Sequence, residues 1–197
     1  MINVDTTQAK PIEIIHRLNI IQDPHAFNPR EEYDHLGTMF CKHKRYTLGD
    51  KDADDIRIED EETGDLNFPE GYTILPLYLY DHSGITMNTS GFHCPWDSGM
   101  VGYIYMSHEV AKKNWPNCED WKEKAINCMK SEVEEYDDYI TGNVYGFNYE
   151  QVAVNDDGEE QVLEEDSCWG FFGYDIEKNG IVDHLPVPIK ECEVIRQ

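Results

Sequence analysis

The chain holds 197 residues, 40 of them Asp or Glu against 16 Lys or Arg, for a formal charge of −24. Hydrophobic residues make up 40% and aromatics 12%, too much apolar and ring content for a disordered acidic tail and enough for a packed core. A molecule this anionic is repelled by DNA, RNA and anionic lipid, which argues against unaided nucleic-acid or membrane-surface binding and favours a cationic protein surface as partner.

The length fits a single domain over 1–197. The first residues show no cationic start, long apolar stretch or small-residue cleavage site, so a cytoplasmic protein is expected. The longest apolar runs, Ile74–Tyr80 and Val101–Met106, fall far short of the roughly 20 residues that cross a bilayer. Six scattered cysteines without a CxxC read as reduced thiols.

Taken in order, Ile12 to Ile21 alternates as an N-terminal strand. Residues 51–70 form an acidic loop insertion, the segment expected to be mobile. Tyr72 to Asp81 is β-branched and aromatic, and His82-Ser83-Gly84 turns it into a second strand at ITMNTS. Gly99 to Ser107 is a further strand. Ser107 caps a short helix that stops before Pro116. From Glu119 to about Ile140, Trp121, Ala125, Cys128, Met129, Val133, Tyr136 and Ile140 recur at three- and four-residue steps, the mark of a long amphipathic helix. Thr141-Gly142-Asn143 ends it. Val144 to Val154 then pairs with Glu159 to Phe172 across Asn155–Gly158 as a hairpin, and 174–185 reads as a short helix broken near Gly180. The expected fold is α+β, a mostly antiparallel sheet with one long helix packed on it and a C-terminal hairpin.

The acid is unevenly placed. Residues 51–70, 119–138 and 155–166 hold nine, eight and seven carboxylates, 24 of the 40, and the last segment has no cation. Carboxylates spaced along a helix face and loops can imitate a duplex, which carries one negative charge per about 1.7 Å of axis. The contact residues expected on this reading are Asp52, Asp54, Asp55, Glu59, Asp60, Glu61 and Glu62 in the loop, with Glu132, Glu134, Glu135, Asp137 and Asp138 on the helix. The cationic patch Lys42, Lys44 and Arg45 is expected to anchor the neighbouring acidic loop.

Other chemistry is weakly signalled. Cys41, His43, His93 and Cys94 are the quartet to test for zinc, but the usual CxxC and HxxxH spacings are missing. Cys94 has His93 beside it and Asp97 three residues on, yet neighbours on a strand point to opposite faces, so His82 or His43 would have to supply the base. The plain alternative is a tight turn with Trp96 packed and Asp97 bonded to nearby amides. Phosphate-loop motifs are missing. Counted from Asp52, Arg57 and Thr63 stand where a calcium loop needs its sixth-position Gly and twelfth-position Glu.

Five strings occur in order: NPREEYDHLGTMFCKHKRYTLGD (Asn28 to Asp50), LPLYLYDHSGITMNT (Leu75 to Thr89), CPWDSGMVGYIYMS (Cys94 to Ser107), EVEEYDDYITGNVYGF (Glu132 to Phe147) and DSCWGFFG (Asp166 to Gly173). Together they resemble a family of small acidic bacteriophage and mobile-element proteins. The resemblance implies an anti-defence role of the anti-CRISPR kind, acting in the host cytoplasm. The implied protein is non-enzymatic, needs no cofactor and blocks a Cas9-type nuclease or similar nucleic-acid enzyme, whose Arg- and Lys-lined channels suit an anionic ligand. The blocks carry no residue-level inhibitor motif; their glycines and aromatics read as fold determinants. The alternatives are a zinc protein or Cys/His-dependent enzyme centred on Cys41, His43, His93 and Cys94, and a phage scaffold or regulatory protein pairing through its Tyr/Trp-rich surface. A second copy of the chain, forming a homodimer, is a further partner to test.

Overall fold

A computed structural model of the protein describes residues 13–196. Its elements are β1 (Glu13–Gln22), α1 (Pro29–Glu32), β2 (Thr38–Cys41), β3 (Ile58–Glu59), β4 (Leu66–Asn67), β5 (Tyr72–Asp81), β6 (Ile85–Asn88), β7 (Ser98–Ser107), α2 (His108–Asn114), α3 (Trp121–Thr141), β8 (Val144–Val154), β9 (Glu160–Phe172) and β10 (Cys192–Arg196). Two 3-10 turns, Ile181–His184 and Ile189–Glu191, precede β10. The class is α+β with mostly antiparallel pairing. The strands form two four-stranded sheets, β10-β1-β8-β9 and β2-β7-β5-β6, and a two-stranded β3-β4 pair, where a single main sheet was expected. Ile12, placed at the start of the first predicted strand, lies outside the described residues.

The described residues divide into two compact units, 27–142 and the combination of 13–26 with 143–196. In the first, alternate residues of β5 (Leu77, Leu79) and β7 (Ile104, Met106) point inward. Ala125, Met129, Val133 and Tyr136 of α3 join them in one core cluster, as their three- and four-residue spacing dictates. Ser107 caps α2 by accepting from the Val110 amide at 3.2 Å. Gly142 ends α3 in the left-handed region at φ 75°, its amide donating to Asp138 O and Tyr139 O. Pro76 is tolerated inside β5 because β6 pairs only from Tyr78 onward, so no ladder bond needs the missing N–H on that side.

The second unit is built on β1, which runs antiparallel to β8 and parallel to β10. Leu18, Ile20, Phe147, Tyr149 and Phe171 lie on one sheet face, and Ile176, Ile181 and Val187 from the segment before β10 pack against them. On the other face the register lines up Glu193, Arg17, Glu150 and Glu165, one from each strand. Arg17 reaches Glu160 at 3.1 Å and Glu150 at 3.5 Å. On the same face Trp169 lies over Gly146, where an added Cβ would meet its ring at 2.2 Å.

Candidate acidic interaction surfaces

Residues 51–70 are a docked hairpin. The arm is anchored at Tyr103 of β7, whose hydroxyl donates to Asp55 Oδ1 at 2.5 Å and accepts from the Ile56 amide at 3.0 Å. Arg57 chelates the same carboxylate, with Nε at 2.8 Å from Asp55 Oδ1, and its guanidinium lies 5.6 Å above the Tyr103 ring. Phe68 meets that ring edge-on at 4.8 Å between centroids. Arg57 and the Tyr103 hydroxyl hold the Asp55 carboxyl well below the usual carboxylate range. Burial, reinforced by Asp55, pushes the Tyr103 hydroxyl up to about 12. The anchor thus comes from Arg57 and Tyr103. Of the expected cationic patch, Arg45 bonds Asp81 and stacks on Tyr46, away from this arm.

Beyond the anchor, β3 and β4 pair Ile58 with Asn67 and Glu59 with Leu66. The turn between them closes on Asp60, whose Oδ1 accepts from the Glu62 and Thr63 amides at 2.9 and 2.8 Å, with Gly64 at φ 72°. Those amides lower the Asp60 carboxyl pKa. Asp55 and Asp60 are therefore structural carboxylates. Asp52, Asp54, Glu59, Glu61 and Glu62 are exposed, and their side chains have no ion-pair partner among the described residues. Ile58 and Leu66, 58% and 56% exposed, add apolar surface beside them.

The acidic face of α3 has a different use. Glu132 is buried: Oε2 takes an ion pair from Arg30 at 3.0 Å, and Oε1 accepts from the Leu36 amide at 2.9 Å and the Gly37 amide at 3.2 Å. That withdraws Glu132 from the contact set. Glu135 meets His35 Nε2 at 3.0 Å, and Asp137 accepts from the Met87 amide at 2.6 Å and Thr86 Oγ1 at 3.1 Å. Burial raises the Asp137 carboxyl. Glu134 is exposed, and Asp138 is half-buried beside Asp137, Glu134 and Glu135; burial first and those charges second push its carboxyl up to about 6. The helix thus spends most of its expected contact residues on holding the fold together.

Sequence reasoning did not assign the carboxylates of β9 to a contact, although the cation-free run at 155–166 marked them. Every residue from Glu160 to Ser167 is exposed, including Glu164, Glu165 and Asp166. β9 is also the outer strand of its sheet.

The Cys/His quartet is not assembled: among the described residues no three His, Cys, Asp or Glu side chains are placed to hold a metal ion. Burial, with Asp50 adding to it, pushes the Cys41 thiol up to about 12. His43 stacks on Tyr46 at 5.0 Å, and its Nδ1 accepts from the Arg45 and Tyr46 amides at 3.3 Å. His93 is exposed. Cys94 Sγ lies 3.7 Å from Asp97 Oδ2, and His82 Nδ1 lies 3.3 Å from the same oxygen. The carboxylate therefore stands between thiol and imidazole, where a nucleophile–base–orienter relay needs the imidazole in the middle. Trp96, expected to be packed, is 91% exposed. All six cysteines are free thiols, and no described helix is long and apolar enough to cross a membrane.

Comparison with protein-family models, with curated proteins and with solved structures finds no match to this chain.

Proposed function

We propose that this protein is a non-enzymatic anti-defence inhibitor that occupies the basic nucleic-acid groove of another protein. A CRISPR effector nuclease of the Cas9 type is the partner implied by the phage-protein resemblance. The single observation that carries the reading is the β3–β4 hairpin, a short arm fixed at its base by Asp55, Arg57 and Tyr103 that presents Glu59, Glu61 and Glu62 with no ion-pair partner among the described residues. Pre-fixing the arm lowers the entropy lost on binding, and an unpaired anion array lets a lysine- or arginine-lined channel exchange its phosphates for carboxylates. With a chain charge of −24, encounter is steered and salt-sensitive. Direct nucleic-acid and membrane binding have no part in this reading.

The test is target-DNA binding by a guide-loaded Cas9-type nuclease, titrated with the protein at about 50 and about 200 mM salt. The reading predicts stoichiometric inhibition that weakens at the higher salt. The triple variant Glu59→Gln, Glu61→Gln, Glu62→Gln is expected to weaken it by about tenfold or more while unfolding at the parental midpoint. Undiminished inhibition by that variant removes the hairpin as the contact, and no effect on nucleic-acid binding removes the reading.

A further inference from the structure

The outer strand β9 has a feature that the hairpin lacks: a long backbone edge. It pairs with β8 on one side only, so its second edge faces no strand of the sheet. An unprotected edge is a template for another strand, and proteins normally blunt it with bulges or charge. β9 has both. The register slips at Leu163, between the pairs Gln151–Glu164 and Val152–Val162, and slips again beyond Cys168. The regular stretch between the slips is Glu164–Cys168.

That stretch carries carboxylates on both faces. Glu165 lies opposite Glu150 on one face, while Glu164 and Asp166 lie opposite Gln151 and Tyr149 on the other. Glu164, Glu165 and Asp166 are exposed and have no cation partner among the described residues; Arg17 is taken by Glu150 and Glu160. The charge selects what can pair there. A second copy of this strand, in either direction, would set carboxylate against carboxylate around Glu165 and be repelled. A strand with alternating Lys or Arg sets its cations on one face, where they meet Glu165 or, one residue out of register, Glu164 and Asp166.

We propose that the outer edge of β9, along Glu164–Cys168, is a strand-addition site for an extended basic segment of another protein. Affinity comes from backbone N–H and C=O pairing, and selectivity from carboxylates flanking the edge on both faces. This inference stands apart from the hairpin reading, because it concerns a different unit and needs no groove.

The test uses the intact protein and three synthetic eight-residue peptides: alternating Lys-Val, alternating Glu-Val, and alternating Lys-Val with every peptide nitrogen methylated. The last keeps the charge and the side chains but lacks the backbone donors. Lys-Val is expected to bind about tenfold or more tightly than its methylated form, as loss of a few ladder bonds requires, and Glu-Val is expected not to bind. Hydrogen exchange should slow at the amides of 164–168 on Lys-Val binding. Glu164→Lys with Glu165→Lys should abolish this, while Glu61→Lys in the hairpin should leave it intact. Equal binding of Lys-Val and its N-methylated form, or protection elsewhere than 164–168, would reduce the site to a diffuse acidic patch and overturn the proposal. A peptide-free dimer with the same amides protected would assign the edge to a second copy and also overturn it.

Discussion

The Arg30 guanidinium, 2% exposed, lies 3.0 Å from Glu132 Oε2 and chelates Asp50 through Nε and Nη2 at 2.6 and 2.8 Å. Its remaining Nη2 contact is Gly37 O at 2.6 Å. Four segments are joined by this one cation: α1, the approach to β2, the loop at Asp50 and α3. Burial works against the charge, and the two carboxylates more than compensate, so the Arg30 pKa rises.

Removing one member strands the others in a dry site. Glu132→Ala leaves Arg30 short of a counter-ion and the Leu36 and Gly37 amides without their shared acceptor, and is expected to cost about 3–5 kcal/mol of stability. Glu134→Ala, two residues on but exposed, is expected to stay within about 0.5 kcal/mol. Urea titration of the two variants checks this; similar midpoints would show that the buried network adds nothing.

Close backbone approach makes a second prediction. At Gly102 of β7 an added Cβ would stand 2.0 Å from the Phe40 carbonyl oxygen of β2, a backbone atom that cannot swing aside, whereas at Gly99 nothing lies within 4 Å. Gly102→Ala should lower stability by more than about 2 kcal/mol. Gly99→Ala should be neutral to within about 0.5 kcal/mol. A neutral Gly102→Ala would contradict the β2–β7 packing.

The hairpin anchor can be loosened without touching its charges. Tyr103→Phe keeps the ring that Phe68 packs on and removes the hydroxyl shared by Asp55 and the Ile56 amide. Amide exchange in residues 54–68 should quicken by about tenfold, in keeping with about 1–2 kcal/mol for the two bonds lost. Exchange elsewhere in the same unit should change less. Unchanged exchange in the arm would mean that the aromatic contacts alone hold it.

The Asp138 carboxyl predicts a pH dependence. It sits at about 6 in the folded chain against an ordinary 3.8. Over that interval the native state holds a proton that the unfolded state releases, so this group's effect on stability worsens as pH rises from about 4 to 6. The last turn of α3 has no basic residue to offset it. Asp138→Asn should therefore raise the thermal midpoint at pH 7 by about 2 °C, a small shift because the side chain is half-solvated, with the gain vanishing below about pH 4. A gain that persists at low pH would point to a cause other than charge.

Local signals in the sequence were clear where the physics is local. Ser107, Gly142 and the turn Asn155–Gly158 mark their elements within a residue or two, because caps and turns depend on a few neighbouring side chains. Long-range pairing left no such mark. β10 joins β1 across more than 170 residues, and β2 is four residues long, so neither had a periodicity to read. The candidate surface was legible in outline only. Composition located the acid but could not separate Glu132, Asp55 and Asp60, which bond their own fold, from Glu61 or Glu165, which do not. That distinction depends on whether an arginine, a tyrosine or a backbone amide arrives from elsewhere in the chain.

We propose that these carboxylates take the place of a nucleic-acid backbone on another protein. Displacement measures it most directly: a labelled guide–target duplex bound to the effector is titrated with this protein, and the protein's apparent affinity is followed against duplex concentration. Mutual exclusion is expected, with the apparent dissociation constant rising in proportion to duplex concentration and no ternary complex at saturation. A stable ternary complex, with the duplex still in its channel, would contradict it.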